Sequence, residues 1–445
     1  MKSIPANSPV RSHLHAKRIA ITVRLAAVLV VAAIAPAAQS AAQRAVGLHF
    51  FTGGSDGYNP YGNVVADKNG VLYGTAWFGG WLNCNGGSGI GCGTIYQLTP
   101  PSDPAGPWTF SVIYEFKGNK DGCCQYSTLA IDGAGNLYGA TEFGVGEYYG
   151  GVFQLSPPAG LRKRWKFSIL YEFQNQADGQ YPITPLVIDK SGAIYGVTQY
   201  GSLPGCGDSG CGAVFQLVPP QTPGGKWKEN TLHQFQGLND GGTPGGLIMD
   251  KHGTLYGTTF TGGIVMPNCP NGCGNVFEVY RTGNYWYEAP IYTFKGTPDG
   301  AFPNNLTIDR SGVLYGLAGS YTKQNLSAVF KLTPPARKNG NWHKTAIHAF
   351  PNGSNGGYGP TFLTEGDDGN LYGAIFGEID FDQGYIFRLR PPAPDGAGWT
   401  YRTLIDFNVT GPDRNPNGVI RGKFGFLYGT LNGGDSDGGA VFEIK

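Results

Sequence analysis

The stretch DGAGNLYGATEFG, residues 132 to 144, holds the residue types of a working site. Its glycines fall in a GxGxxxG string close to a dinucleotide-binding fingerprint, and Asp132 offers a carboxylate to a cation. A phosphate cradle of that kind needs a strand before it and a helix after it, whereas here an apolar run of strand composition follows. A calcium loop needs more oxygen ligands than one Asp per turn. The string also recurs: DKNGVLYGT begins at Asp67, DKSGAIYGV at Asp189, DKHGTLYGT at Asp250 and DRSGVLYGL at Asp309, while GDDGNLYGA and GKFGFLYGT at Gly366 and Gly422 lack the leading Asp. Seven tyrosines, from Tyr73 to Tyr428, stand 56 to 65 residues apart. A motif repeated at the length of one supersecondary unit is a fold motif, with Asp accepting amide hydrogen bonds in a turn and Gly taking its left-handed corner. The Gly after each Tyr is expected to let a neighbouring backbone come close.

Residues that break the repeat are better candidates for chemistry. Unit one adds Trp77, Phe78 and Trp81, the next two add Glu142, Glu147, Tyr148, Tyr149 and Tyr200, and unit six adds Glu378, Asp380 and Asp382. Planar aromatics beside carboxylates and amides suit sugar rings, whose C–H faces stack while hydroxyls bond to polar groups. The competing reading is that these aromatics pack the units together. Asp56, Asp121, Asp178, Asp240 and Asp299, with Asp413 loosely equivalent, could ring one mouth and bind a cation. Because they repeat with the fold, a turn-forming role is favoured.

Eight cysteines fall as Cys84 with Cys92, Cys206 with Cys211, Cys269 with Cys273, and the neighbours Cys123 and Cys124. The first three pairs each end just before an apolar run and are expected to be disulfides stapling loops in an oxidising compartment, each stabilising by roughly 2–3 kcal/mol through loop closure. Zinc is the rival, but CxxC spacing and accompanying histidines are lacking. Cys123 and Cys124 can close a vicinal ring, a rigid apolar platform for a ligand, or pair with other chains, or stay free.

The elements that must carry these residues are strands. In the second unit STLAID (127 to 132), NLYGATEF (136 to 143), GVFQLSP (151 to 157) and WKFSILYEF (165 to 173) are strand-length, β-branched and aromatic, and bounded by Gly, Pro or Asp. No run of ten or more residues in 45–445 has helical spacing. Seven such units predict an all-β, seven-bladed β-propeller of four-stranded antiparallel blades. Residues 45 to 57 resemble a fourth strand and residues 439 to 445 a third, so the ring is expected to close when the N-terminal strand joins the C-terminal blade, leaving no open edge. The loops joining second to third and fourth to first strands would share one face. With 73 glycines and 31 prolines the composition approaches that of disordered chains, but 13% aromatics at fixed positions imply a packed core. A net charge of +1 with 14% charged residues gives no footprint for nucleic acid. Arg11, Lys17, Arg18 and Arg24 precede an apolar run, Leu25 to Ile34, and then APAAQSAAQ, the order of an export signal. Residues 1–44 are thus expected to be a signal peptide and short linker, with 45–445 a single propeller domain, exported to the periplasm or beyond and without a permanent membrane span.

The repeated DxxGxLYGTTxxGG, GxVFxL and PP…W segments resemble the GloVer (Gloeobacter and Verrucomicrobia type) tandem repeats of exported bacterial proteins, over nearly the whole of 45–445. The resemblance implies a secreted or surface repeat protein and names no activity; members often bear a C-terminal anchor, and no such anchor is expected in a chain ending within a strand. DxxGNLY is also similar to a turn of NHL-type propellers, which bears on fold alone.

The expected function is a non-catalytic binding or scaffold module, monomeric, for a glycan or a cell-surface protein, with no cofactor or metal. The alternative is a carbohydrate-active enzyme, a glycoside hydrolase or lyase, using Glu142 or Glu147 with Asp380 or Asp382. A cofactor-bearing oxidoreductase has only the adjacent cysteines as a hint, since His13, His15, His49, His233, His252, His343 and His348 show no axial-ligand or metal spacing. No GxSxG string offers a nucleophile elbow.

Overall fold

The structure, a computed structural model, describes residues 43–445 apart from 85–88, 104–105, 119, 126, 145–148, 162, 175–177, 183–184, 202–205, 223, 238, 320–326, 338–339, 351–359, 377–383, 394–395, 397, 408–414, 423–424 and 434–437. The export signal expected in 1–44 lies almost wholly outside them. Among the described residues no helix is long and apolar enough to cross a membrane.

Alternating strand and turn chemistry produces seven four-stranded antiparallel sheets, a seven-bladed propeller. Blade 1 holds β2 (Val65–Ala66), β3 (Leu72–Ala76), β4 (Thr94–Thr99) and β5 (Thr109–Glu115) from centre to rim. Blade 2 holds β6 (Ala130–Ile131), β7 (Leu137–Thr141), β8 (Gly151–Ser156) and β9 (Lys166–Glu172). Its first strand is far shorter than the expected run from 127 to 132, because the chain enters from a loop and only two residues reach ladder pairing with β7. The last sheet is completed by β1 (Ala45–Phe50), which pairs antiparallel with β28 (Ala440–Ile444). Inner strands are tied around the centre by side-chain bonds: Asn63 N–H to Thr128 Oγ1, Leu363 N–H to Asn305 Oδ1, and Asn417 Nδ2 to the carbonyl of Pro60.

The opening motif is now resolved atom by atom. Asp132 Oδ1 accepts from the amides of Ala134 and Asn136, both at 2.9 Å, and Oδ2 accepts from the Tyr138 hydroxyl at 3.1 Å. Asp189 and Asp309 repeat the whole arrangement. The turn glycine, Gly135 in this unit, has φ +83°, where a side chain would be strained. The Gly after Tyr meets the expected close backbone at Gly429, where a Cβ would sit 2.3 Å from the Gly418 carbonyl oxygen, but in most blades its first neighbour is an aromatic ring. A Cβ on Gly139 would sit 2.4 Å from the Phe153 ring, and Gly196, Gly257, Gly316 and Gly373 face Phe215, Phe277, Phe330 and Phe387 in the same way. Each of these blades therefore sinks a third-strand phenyl, fully buried, into the notch left by its own glycine.

Neighbouring blades lock through two further aromatic sets. The Trp of the PP…W segment packs edge-on against the motif Tyr of the blade before it, as Trp165 on Tyr73 at 5.8 Å and Trp108 on Tyr428 at 5.6 Å. The second of these crosses the closure and matches the first, so the closing seam is built like the others. Rim strands stack His49 on Phe110, Tyr114 on Phe167 and His348 on Tyr401, nearly coplanar. Each such pair contributes about 0.5–1.5 kcal/mol beyond its buried area. Disulfides join Cys84 to Cys92, Cys206 to Cys211 and Cys269 to Cys273, while Cys123 and Cys124 are not joined by a disulfide.

Candidate functional site

The second-to-third and fourth-to-first loops meet on one face through single bridges, Tyr58 with Phe78, Cys123 with Phe143, and Gln180 with Tyr200. Just after each first partner stands a residue in the left-handed region, Asn59 (φ +53°), Cys124 (+66°) and Tyr181 (+57°), and Thr243 (+51°) and Phe302 (+52°) repeat the conformation in the next two blades. The kink has a structural return. It points the amides of Asn59, Tyr181, Thr243 and Phe302 at the carbonyls of Gly438, Tyr149, Cys211 and Cys273, in the loop leading to the third strand of the preceding blade. In blades 3 and 4 that acceptor is itself a disulfide cysteine, so the staples fix the loops that receive the next blade.

The Asp ring belongs to this scaffold. Asp121 accepts from the Lys117 amide and the Tyr114 hydroxyl at 2.8 and 2.6 Å. Asp178 and Asp299 bind Tyr171 and Tyr292 likewise, and Asp56 and Asp240 face His49 and His233 at 3.2 Å. Their lone pairs hold turns together, as their repetition implied. Asp413 lies outside the described residues. Sequence reasoning missed the partners, although a Tyr or His stands seven residues before each of these Asp residues.

Of the residues that break the repeat, Trp77, Phe78, Cys123, Cys124, Glu142, Tyr149 and Tyr200 come together on this face. Trp77 packs against Tyr61 and Phe78, with ring centroids 4.9 and 4.2 Å apart, and its side chain lies beside the Cys124 thiol. Cys124 in turn hydrogen-bonds Cys123, and that bond, with burial and the neighbouring Glu142, pushes its pKa far up. Glu142 is half-buried, burial raises its pKa to about 7, and its Oε2 has no hydrogen-bond partner. Tyr181, a residue that sequence reasoning passed over, lies within electrostatic reach of Glu142, Tyr149 and Tyr200, with its ring 5.1 Å from Phe143 and 6.0 Å from Tyr200. Trp81 stands apart, exposed on the stapled loop of blade 1. Glu147, Tyr148, Glu378, Asp380 and Asp382 lie outside the described residues.

Beside this cluster a cavity of about 840 Å³ opens between the inner strands. Tyr200, Phe260 and Phe362 line it with Gln199, Asn304 and Asn305, and among the described residues no Asp, Glu, Lys, Arg or His is in its lining. Among the described residues no three His, Cys, Asp or Glu side chains converge as metal ligands. A second departure from the repeat sits at the cluster's edge. Where other blades place Pro60, Pro182, Pro244, Pro303 and Pro416, blade 2 has Gln125, 1% exposed and with neither amide atom bonded.

A family model described as the Gloeobacter/Verrucomicrobia repeat matches residues 81–320 and 205–442. The chain belongs to this repeat family. No curated protein matches it. Solved structures similar to this Gloeobacter/Verrucomicrobia repeat protein include a proposed oxidoreductase (glucose dehydrogenase) of Thermus thermophilus, at 16% identity over 75% of this chain and 93% of that one, TM-score 0.42. A gluconolactonase of Xanthomonas campestris matches at 14% identity over 75% and 86%, TM-score 0.39. A luciferin-regenerating enzyme matches at 14% over 71% and 90%, TM-score 0.42. Similarity of this degree says nothing of what the repeat protein acts on.

Proposed function

We propose that this repeat protein is an exported, non-catalytic binding module for glycans, which engage the loop face and enter the central cavity. The observation that carries the reading is the cavity lining: aromatic rings, amides and hydroxyls, with no charged side chain among the described residues. Uncharged sugar rings offer C–H faces to Tyr200, Phe260 and Phe362 and hydroxyls to Gln199, Asn304 and Asn305, whereas a phosphorylated or strongly charged ligand would find no counter-charge there. Three disulfides agree with an oxidising, exported setting.

The test is a glycan-array screen on residues 45–445, followed by a product assay on every hit. Binding without turnover supports the module. Absence of any glycan binding sinks it and leaves a protein partner. A hydrolase or lyase is the second reading, favoured by one observation: Glu142, with its pKa raised by burial to about 7, is half protonated near neutrality and suited to donate a proton. Turnover abolished in Glu142→Gln would establish it.

A further inference from the structure

The register of Glu142 carries an argument of its own. Counting four residues past each motif Tyr, the seven blades place Trp77, Glu142, Gln199, Phe260, Gly319, Phe376 and Asn432 there, all of them described. Six blades fill the position with a neutral residue, so the fold does not require a carboxylate. Blade 2 nevertheless half-buries one, with Oε2 unbonded and no Lys, Arg or His among the described residues paired to it. A buried carboxylate without a counter-charge is costly, and a cation supplied from outside removes the cost. Tyr181 lies near Glu142 with Tyr149 and Tyr200 beside it, and the negative π faces of such rings attract cations, organic ammonium groups above all. A bare metal ion would want more oxygens than this site gives.

Resting on the glycan reading above, we propose that Glu142 with the rings of Tyr149, Tyr181 and Tyr200 receives an organic ammonium group, and that the ligand is an amino sugar with an unacylated nitrogen. The carboxylate pairs with the ammonium while the rings flank it, and Tyr200 continues into the cavity where the neighbouring sugar rings lie. Ionised Glu142 is the binding form, so affinity rises as pH rises through about 7 and falls again once the amine loses its proton. Among the described residues the titratable groups near Glu142 are the Cys124 thiol and the Tyr181 hydroxyl, with Tyr149 and Tyr200 beside Tyr181; Cys124 and Tyr181 have raised pKa values and keep their protons through this window.

Calorimetry on the full chain tests this with glucosamine oligosaccharides, their N-acetylated counterparts and an Nα-acetyl-lysine amide, in wild type and Glu142→Gln. Glutamine is what blade 3 carries at this register, so the variant is expected to fold, and its melting midpoint checks that it does. At about pH 7, where Glu142 is partly ionised and the sugar amine still partly protonated, the free-amine oligosaccharide should bind wild type more tightly than the acetylated one, by up to about tenfold, the scale of one desolvated ion contact, and the variant should lose that preference. At about pH 5.5, below the pKa of Glu142, the preference should vanish in wild type too. Equal binding of both oligosaccharides, or a preference that persists in the variant, overturns the inference and leaves the glycan reading standing. Binding of the lysine amide alone, lost in the variant, supports the ammonium site and sinks the sugar; no binding by any probe overturns both.

Discussion

Gly139 shows how much a single hydrogen atom decides here, because its missing Cβ is the space into which Phe153 packs. Gly139→Ala leaves backbone angles permissible yet forces that ring aside, and overpacking of this kind costs about 1–3 kcal/mol. Urea unfolding should show the loss, with glycan binding retained once the protein is folded. Blade 1 uses Tyr96 where the other blades have Phe, and its hydroxyl is fully buried with no hydrogen bond. Removing it in Tyr96→Phe spares an unpaired polar atom and should stabilise by about 1–2 kcal/mol. An unchanged or lower midpoint would mean that the hydroxyl is satisfied after all.

At the scale of the element, the staples and the rim strands behave as separate devices. Alkylation of the denatured, unreduced protein should modify two thiols, Cys123 and Cys124, and reduction should expose all eight. Six or more labels without reductant would refute the pairing. On the rim, His233 of β13 (Lys228–Gln234) lies 3.9 Å from Glu288 of β17 (Tyr285–Thr293), and burial lifts Glu288 to a pKa of about 7. A folded pKa above the unfolded one means that protonation favours the folded state. Stability from this residue is complete below about pH 4.5 and is lost as pH rises through about 7. Glu288→Gln should flatten the decline over that interval by about 1–2 kcal/mol, read from melting midpoints across pH. The strands themselves were legible because short β-branched and aromatic runs bounded by Gly, Pro or Asp are local signals. The shortness of β6 was not, since ladder length at the hub depends on how neighbouring blades crowd.

For the whole molecule, the closure by β1 was readable from which strand type each end of 45–445 imitates, and the structure pairs Ala45 with Ile444 as that imitation requires. Deleting residues 45–50 should leave β28 with an unpaired edge and yield a protein that self-associates or melts less cooperatively, seen by gel filtration and calorimetry. A monomer with the original midpoint would show that the ring holds without it. The candidate face was only half legible. Residues absent from the repeat, such as Glu142 and Tyr200, announced themselves, whereas Tyr181 and Gln125 did not. Their importance comes from a backbone kink and a displaced proline, which appear only when the units are superposed.

The left-handed residues at the mouth have one more implication. Asn59, Cys124, Tyr181, Thr243 and Phe302 range from an amide to a thiol to aromatic rings while sharing a left-handed φ, and each costs about 1–3 kcal/mol of strain that a glycine would avoid. Conformation and side-chain identity are thus uncoupled at these positions. Each blade can therefore carry its own residue at the mouth so long as that residue keeps its local contacts, as Phe302 does against Phe260 and Asn59 does in accepting from the Gly433 amide.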